Sequence, residues 1–354
     1  MIENTITHNR QKIGYALGGG AARGLFHIGV LNVLEEHNVY PDVITGTSMG
    51  SIIGALYASG LKAREIKKLA CSIDWKQTIR LADIVLPTSG LIQGRRIIKL
   101  LKSILADIKF NQLKYEFACV AADMYTGEQI VLKSGSIIEA VRASISIPGI
   151  FTPVNKDGRY MVDGGLVNVV PVSVCRDMEA EYVIGVNVIP DPTSCIMRVK
   201  IGGASNSDNS DRYSPPDDDM QQPIIPHTRV QYHNSRTDNI DRGIRKFLLY
   251  RQPKLQKLIA RRPSAIFSRT PYFLRPSYPS LIEVLSQSLN IIEYNIAVQN
   301  LKDADLAISP LTETVGFWEF HRAADAIEAG EKAARSVLQR DAVARIQLGK
   351  LISR

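Results

Sequence analysis

Apolar positions along the chain fall into short solid runs and longer periodic ones. Residues 13–17, "IGYAL", form a solid apolar run of strand length, the pattern of a buried strand. In residues 21–37, Leu25, Ile28, Leu31 and Leu34 recur at three-residue spacing, which predicts a helix with Glu35 and Glu36 near its exposed end. "PDVITGTSMGSIIGALYASG" repeats the pattern: a strand at Val43–Thr45, a tight turn, and a helix to about Ser59. "FACVAADMYTGEQIVL" reads as two strands joined by a Tyr-Thr-Gly turn. "SIIEAVRASISI" reads as a helix ended by Pro148, "DGRYMVDGG" as a turn and a short strand, and "EYVIGVNVIP" as another buried strand. Strands that alternate with helices predict an α/β fold, a three-layer arrangement around a doubly wound, mostly parallel sheet.

The pattern then changes. Residues 202–222, "GGASNSDNSDRYSPPDDDMQQ", are polar and rich in Ser, Asn, Asp and Pro, which predicts a flexible loop. Periodicity returns near Pro279 with an amphipathic helix in "SLIEVLSQSLNIIEYNIAVQNL", a strand in "ADLAISP" and a surface helix in "EFHRAADAIEAGEKAARSVLQR". The expected organisation is a polar tail at 1–12, a core at 13–200, an insertion at 201–278, and 279–354 completing the same domain.

Composition narrows the class. With 354 residues, 45% hydrophobic and 22% charged, the chain reads as globular. The polar start "MIENTITHNRQK" predicts no signal peptide, and no apolar run approaches the 18 residues of a spanning helix. Cys71, Cys119, Cys175 and Cys195 are scattered without a C-x-x-C pair, which favours reduced thiols over a disulfide framework or a zinc site. The expected location is cytoplasmic, with a peripheral position at the inner membrane face as its extension.

Chemistry enters at the turns. "GTSMG" is Gly-x-Ser-x-Gly between a strand and a helix, the nucleophile-elbow arrangement, with Gly46 and Gly50 flanking Ser48. The competing reading is a tight turn whose serine caps the helix. A nucleophilic serine needs a base. None of His8, His27, His37, His227, His233 and His321 sits in a loop at the carboxyl end of a strand, so each reads as structural or solvated. "VDGG" instead puts Asp163 at the end of a short strand, before Gly164 and Gly165. By itself it is an ordinary Asp-Gly turn. Aspartate, with an ordinary pKa of about 3.9, is a poor base for a hydroxyl. A Ser–Asp pair therefore calls for a secluded site and an oxyanion hole, where one lost donor costs about 3–4 kcal/mol.

The first turn, "GGGAARG" from Gly18 to Gly24, can supply one. A dinucleotide fingerprint starting at Gly18 needs glycine where Arg23 stands, and one starting at Gly19 needs it where Ala21 stands. Consecutive glycines before a helix leave backbone N–H groups uncovered, which suits an oxyanion better.

Taken in order, "LGGGAARG", "GTSMG" and "DGG" resemble the patatin-like phospholipases, most closely bacterial members of the neuropathy-target-esterase-like branch. "HIGVL", "ASISIPGIF" and "AIEAGEKAA" add to the likeness. The resemblance covers about residues 13–200 and 279–340. It implies the patatin-like fold with a basic insertion, and a serine carboxylic-ester hydrolase (EC 3.1.1) acting on phospholipids or lysophospholipids. Ser48 would be the nucleophile and Asp163 its base. Gly19, Gly20 and Ala21 would form the oxyanion hole. Arg23 would fix the loop or meet an anionic head group, with Gly18, Gly24, Gly46, Gly50, Gly164 and Gly165 as support. Ser144 and Pro148 would be wall and support. Many members carry glycine where Ala21 stands, which predicts only a slightly narrower approach. No cofactor and no metal are implied. The alternative is a catalytically quiet protein of the same fold acting as a regulator or scaffold, and a nucleotide-binding enzyme ranks below it.

Charge is concentrated. The formal net charge is +8, and the stretch from Arg242 to Arg275 holds ten Lys or Arg and no Asp or Glu. Aromatic and aliphatic residues are interleaved with these cations. Two readings stay open: docking on an anionic membrane surface, or a helix whose apolar face completes the core. No nucleic acid is expected as a partner, since no recognised nucleic-acid fold accompanies the charge.

Overall fold

A computed structural model describes residues 11–73, 92–192, 281–310 and 315–340. The chain divides into two compact units, one made of Met1–Pro192 with Ser288–Arg354 and one of Thr193–Gln287. The predicted loop at 202–222 and the basic stretch Arg242–Arg275 lie outside the described residues.

The first unit is built on a sheet of eight strands: β1 (Ile13–Leu17), β2 (Val43–Thr47), β3 (Glu116–Asp123), β4 (Gln129–Leu132), β5 (Val154–Lys156), β6 (Arg159–Asp163), β7 (Tyr182–Val186) and β8 (Leu306–Ile308). The order is β5-β6-β3-β2-β1-β7-β8, with β4 paired to β3. Strands β3, β2, β1, β7 and β8 are mutually parallel, β4 and β6 run antiparallel to β3, and β5 pairs antiparallel with β6 and so returns to the direction of β3. The fold is therefore α/β with a mostly parallel sheet.

The solid apolar strands are explained by burial on both faces. Tyr15, Leu17, Ile44, Tyr182, Ile184 and Val186 pack into one core, with α1 (Phe26–Glu36), α2 (Met49–Ala58), α3 (Ala63–Ser72) and α8 (Ala323–Arg340). The alternating residues Ala16, Val43 and Val183 face the opposite side, toward α6 (Val172–Asp177) and residues Tyr294 and Ala297 of α7 (Leu281–Asn300). Each large side chain buried fully this way contributes about 1.5–3 kcal/mol.

The predicted surface helix at the end of the chain is more than a surface helix. A Cβ at Gly29 of α1 would sit 2.0 Å from the Ile327 carbonyl oxygen, and one at Gly330 of α8 would sit 2.1 Å from that of Phe26. The two helices touch backbone to backbone, and Ala326, Ile327, Ala334 and Leu338 are buried beside the contact.

Three local readings differ from the structure. The segment expected to be one helix from 21 opens as a 3-10 turn, Ala21–Leu25, before α1. Arg23 N–H donates to the Gly20 carbonyl there, a tighter i to i+3 bond than an α-helix makes. Helix α5 (Ile137–Ser144) ends four residues before Pro148. A residue preceding proline is steered out of the helical region, and bonds such as Ile147 N–H to the Ile145 carbonyl replace the helical ladder. Strand β5, the hairpin partner of β6, carries only Val154, Asn155 and Lys156, too short a pattern to signal itself.

Candidate active site

The sheet register brings the two chemistry-bearing turns together. Strand β2 runs parallel to β3 and ends with Thr47 opposite Val120. Strand β6 runs antiparallel to β3 and ends with Asp163 opposite Ala121. The ends of β2 and β6 thus converge on two consecutive residues of β3. Ser48, the next residue after β2, and Asp163 meet there.

Ser48 sits between β2 and α2 with φ 51° and ψ −120°, outside the ordinary regions for a residue with a Cβ. The turn closes because nothing projects at Gly46 and Gly50. A Cβ on Gly46 would lie 2.5 Å from the Gly50 carbonyl oxygen, and one on Gly50 would lie 2.1 Å from that of Leu17. The conformation is anchored on both sides: Ser48 N–H donates to Ser144 Oγ at 2.9 Å, and Ser51 Oγ donates to the Ser48 carbonyl at 2.6 Å. Ser144 therefore supports the serine directly, whereas Pro148 only follows the end of α5.

Ser48 Oγ donates to Asp163 Oδ2 at 2.7 Å, and the other carboxylate oxygen, Oδ1, accepts from Gly165 N–H at 2.8 Å. Both side chains are buried, Ser48 at 5% and Asp163 at 3% exposure. Burial pushes the Asp163 pKa up to about 6, and the hydrogen bonds from Gly165 and Ser48 oppose it. At pH 7 the carboxyl is mostly ionised and a far better proton acceptor than an exposed aspartate.

The glycine-rich turn lies against this pair. A Cβ on Gly19 would be 3.4 Å from Ser48 Cβ. Its donors are not equivalent. Gly18 N–H is bonded to the Val186 carbonyl and Gly19 N–H to the Val169 carbonyl. Among the described residues, the N–H groups of Gly20 and Ala21 have no partner. Ala21 holds φ 49°, a left-handed conformation in which glycine would be relaxed. Gly24 is where the turn crosses α2, since a Cβ there would strike Met49 Cγ at 2.2 Å. A Cβ on Gly164 would meet the Val120 carbonyl oxygen at 2.3 Å, so that residue packs the Asp163 turn onto β3.

Two residues outside the sequence-derived set hold the loop. His27 is fully buried in α1, and its Nε2 lies 2.7 Å from the Gly18 carbonyl oxygen. A carbonyl only accepts, so Nε2 carries the proton. Burial lowers the ring's pKa to about 4, against the Gly18 bond that raises it, and the ring is neutral. It is a structural histidine, and the role it serves is to pin the first glycine. Asn290 on α7 accepts from Arg23 Nη1 at 2.9 Å. Arg23 Nε donates to the Val315 carbonyl at 3.4 Å, and its guanidinium lies 5.9 Å from the Phe317 ring centre. Of the two roles considered for Arg23, fixing the loop is the one with visible partners.

Among the described residues no histidine bonds to Ser48 or Asp163, and no group of three or more His, Cys, Asp or Glu could hold a metal ion. The described cysteines, Cys71, Cys119 and Cys175, are free thiols. No described helix is long and apolar enough to cross a membrane.

The α/β sheet carries a buried serine on a strand–turn–helix elbow, bonded to a buried aspartate, the geometry that a nucleophilic serine requires. Residues 15–176 match the family model of the Patatin-like phospholipases. An NTE family protein of Mycobacterium tuberculosis is 38% identical over 175 residues, covering 49% of this chain and 30% of that protein. A second from the same organism is 32% identical over 177 residues, 50% of this chain and 49% of the relative. Patatin-like phospholipase domain-containing protein 6 of Mus musculus is 35% identical over 183 residues, 50% of this chain and 13% of that protein. This chain thus matches half or less of the length of each of these relatives. Among solved structures, VipD from Legionella pneumophila aligns over 94% of this chain and 67% of its own at 14% identity and a TM-score of 0.40. So loose a superposition says nothing about the site.

Proposed function

We propose that this chain hydrolyses acyl esters of phospholipids or lysophospholipids, with Ser48 as nucleophile and Asp163 as its base. The observation that carries the reading is the 2.7 Å bond from Ser48 Oγ to Asp163 Oδ2 in a buried site. The family match at residues 15–176 supports the substrate class.

In this reading Asp163 Oδ2 takes the Ser48 proton as Oγ attacks the ester carbonyl. The carbonyl oxygen becomes an oxyanion and is met by the Gly20 and Ala21 N–H groups, the two left uncommitted in the turn. The tetrahedral adduct collapses, the C–O bond to the alcohol breaks, and Asp163 returns the proton to the leaving alcohol. Water then attacks the acyl-Ser48 carbonyl as Asp163 takes its proton, the C–Oγ bond breaks, Asp163 returns that proton to Ser48 Oγ, and the free acid leaves. The basic stretch Arg242–Arg275 would bring the enzyme to anionic lipid, each near-surface cation contributing about 1 kcal/mol. A cytoplasmic enzyme working at the inner membrane face fits these features.

The test compares fatty-acid release from phosphatidylglycerol and lysophosphatidylcholine by wild type and Ser48→Ala. Loss on the order of 10⁴-fold or more in the variant is the expected result. Equal rates, measured on a folded variant, would overturn the assignment.

A further inference from the structure

Helix α7 carries a carboxyl beside the catalytic pair that the proposed reaction does not use. Glu293 is half-buried against the turn that holds Asp163. A Cβ built on Gly165 would lie 2.8 Å from Glu293 Oε1 and 3.2 Å from Asp163 Oδ1. The two carboxyl oxygens therefore flank the same bare face of Gly165. That residue is also the one whose N–H holds Asp163 Oδ1. Glu293 forms no hydrogen bond or ion pair among the described residues. The charged groups facing it are Asp163, from the end of β6, and Arg23, from the glycine-rich turn. Arg23 Nη1 is engaged by Asn290, on the preceding turn of α7.

We propose that Glu293 is a positioning residue that sets the basicity of Asp163, making it a stronger base for Ser48 once Glu293 has lost its own proton. The inference rests on the Ser48–Asp163 reading above. Its physical basis is the direction in which charge moves. When Ser48 gives its proton to Asp163, negative charge leaves the Asp163 carboxylate for the serine oxygen and then the oxyanion. A second negative charge across Gly165 destabilises the starting carboxylate and favours that transfer. Two carboxyls in one site lose their protons in separate steps. Here burial, then the Asp163 charge, hold the Glu293 pKa up to about 8 against the pull of Arg23, while Asp163 titrates near 6.

The experiment is the pH dependence of kcat/KM from pH 5 to 10 on an uncharged short-chain ester, with Ser48→Ala subtracted as background. Wild type should rise twice, near pH 6 and again near pH 8, the second step by roughly threefold. Glu293→Gln should keep the first rise and lose the second, and Glu293→Asp should restore it at a displaced midpoint. A Glu293→Gln profile that superimposes on wild type overturns the proposal, as does a wild-type rate that falls near pH 8. Failure of the hydrolase reading looks different: wild type and Ser48→Ala turn over equally, and the inference falls with it. A purely structural role for Glu293 would lower the rate at every pH without removing a step, which also contradicts the proposal.

Discussion

Ser48 Oγ and Asp163 Oδ2 stand 2.7 Å apart although 115 residues separate them in the chain. Strand β3 makes the meeting: Thr47 pairs with Val120 and Asp163 with Ala121, so one strand aligns the ends of two others that approach from opposite directions. An aspartate held there is costly when charged. Its pKa is raised from 3.8 to about 6, so the native state binds a proton that the unfolded state has already released between those values. Stability falls as pH rises through that window, by about 3 kcal/mol in all. Asp163→Asn removes the charge and keeps the shape. The variant should melt above wild type at pH 7, with the gap closing toward pH 4, while hydrolysis drops by about 10²–10⁴-fold. Calorimetry and the ester assay check the two halves.

Gly20 is where the oxyanion assignment is most exposed to test. It holds φ 152°, and a Cβ there would meet Val188 Cγ2 at 2.7 Å. Gly20→Ala should displace the two uncommitted N–H groups and lower kcat by about 10²–10³-fold. Binding of a non-hydrolysable lipid analogue should change far less. Equal losses in kcat and binding would place the effect in the pocket as a whole.

His27 links the loop to acid stability. Its folded pKa is depressed from 6.5 to about 4, so below pH 6.5 the unfolded chain takes a proton that the native ring refuses. Stability is complete above pH 6.5 and is lost as pH falls toward 4, by about 3 kcal/mol. His27→Gln cannot take that proton. Denaturant unfolding at pH 7 and at pH 4.5 should show the wild type losing stability relative to the variant. A constant difference would contradict a neutral, buried His27.

Much of this architecture was legible in the chain because strand–turn–helix units write themselves locally. "IGYAL" and "VITGT" are solid apolar strands, and each runs into a glycine-bearing turn before a helix. Ser48 and Asp163 were legible for the same reason, since glycines bracket or follow each. What escaped was non-local. Nothing in the sequence near Gly19 says that its N–H is taken by Val169, which leaves Gly20 and Ala21 with the uncommitted N–H groups among the described residues. His27 lies in a helical pattern, and only the fold shows its ring under Gly18. Asn290 and Glu293 flank exposed Ile291 and Ile292 on α7, in a stretch whose pattern signals an amphipathic helix and singles out neither residue. Their proximity to Arg23 and Asp163 is created by packing across the chain.

The most direct test of the account is the acid limb of kcat/KM on an uncharged ester, with Ser48→Ala and Asp163→Asn measured alongside. A buried Asp163 acting as base predicts a midpoint near pH 6 in wild type and near-complete loss of turnover in both variants. Wild-type activity that stays level down to pH 4, or a folded Asp163→Asn that keeps the wild-type rate, would contradict it.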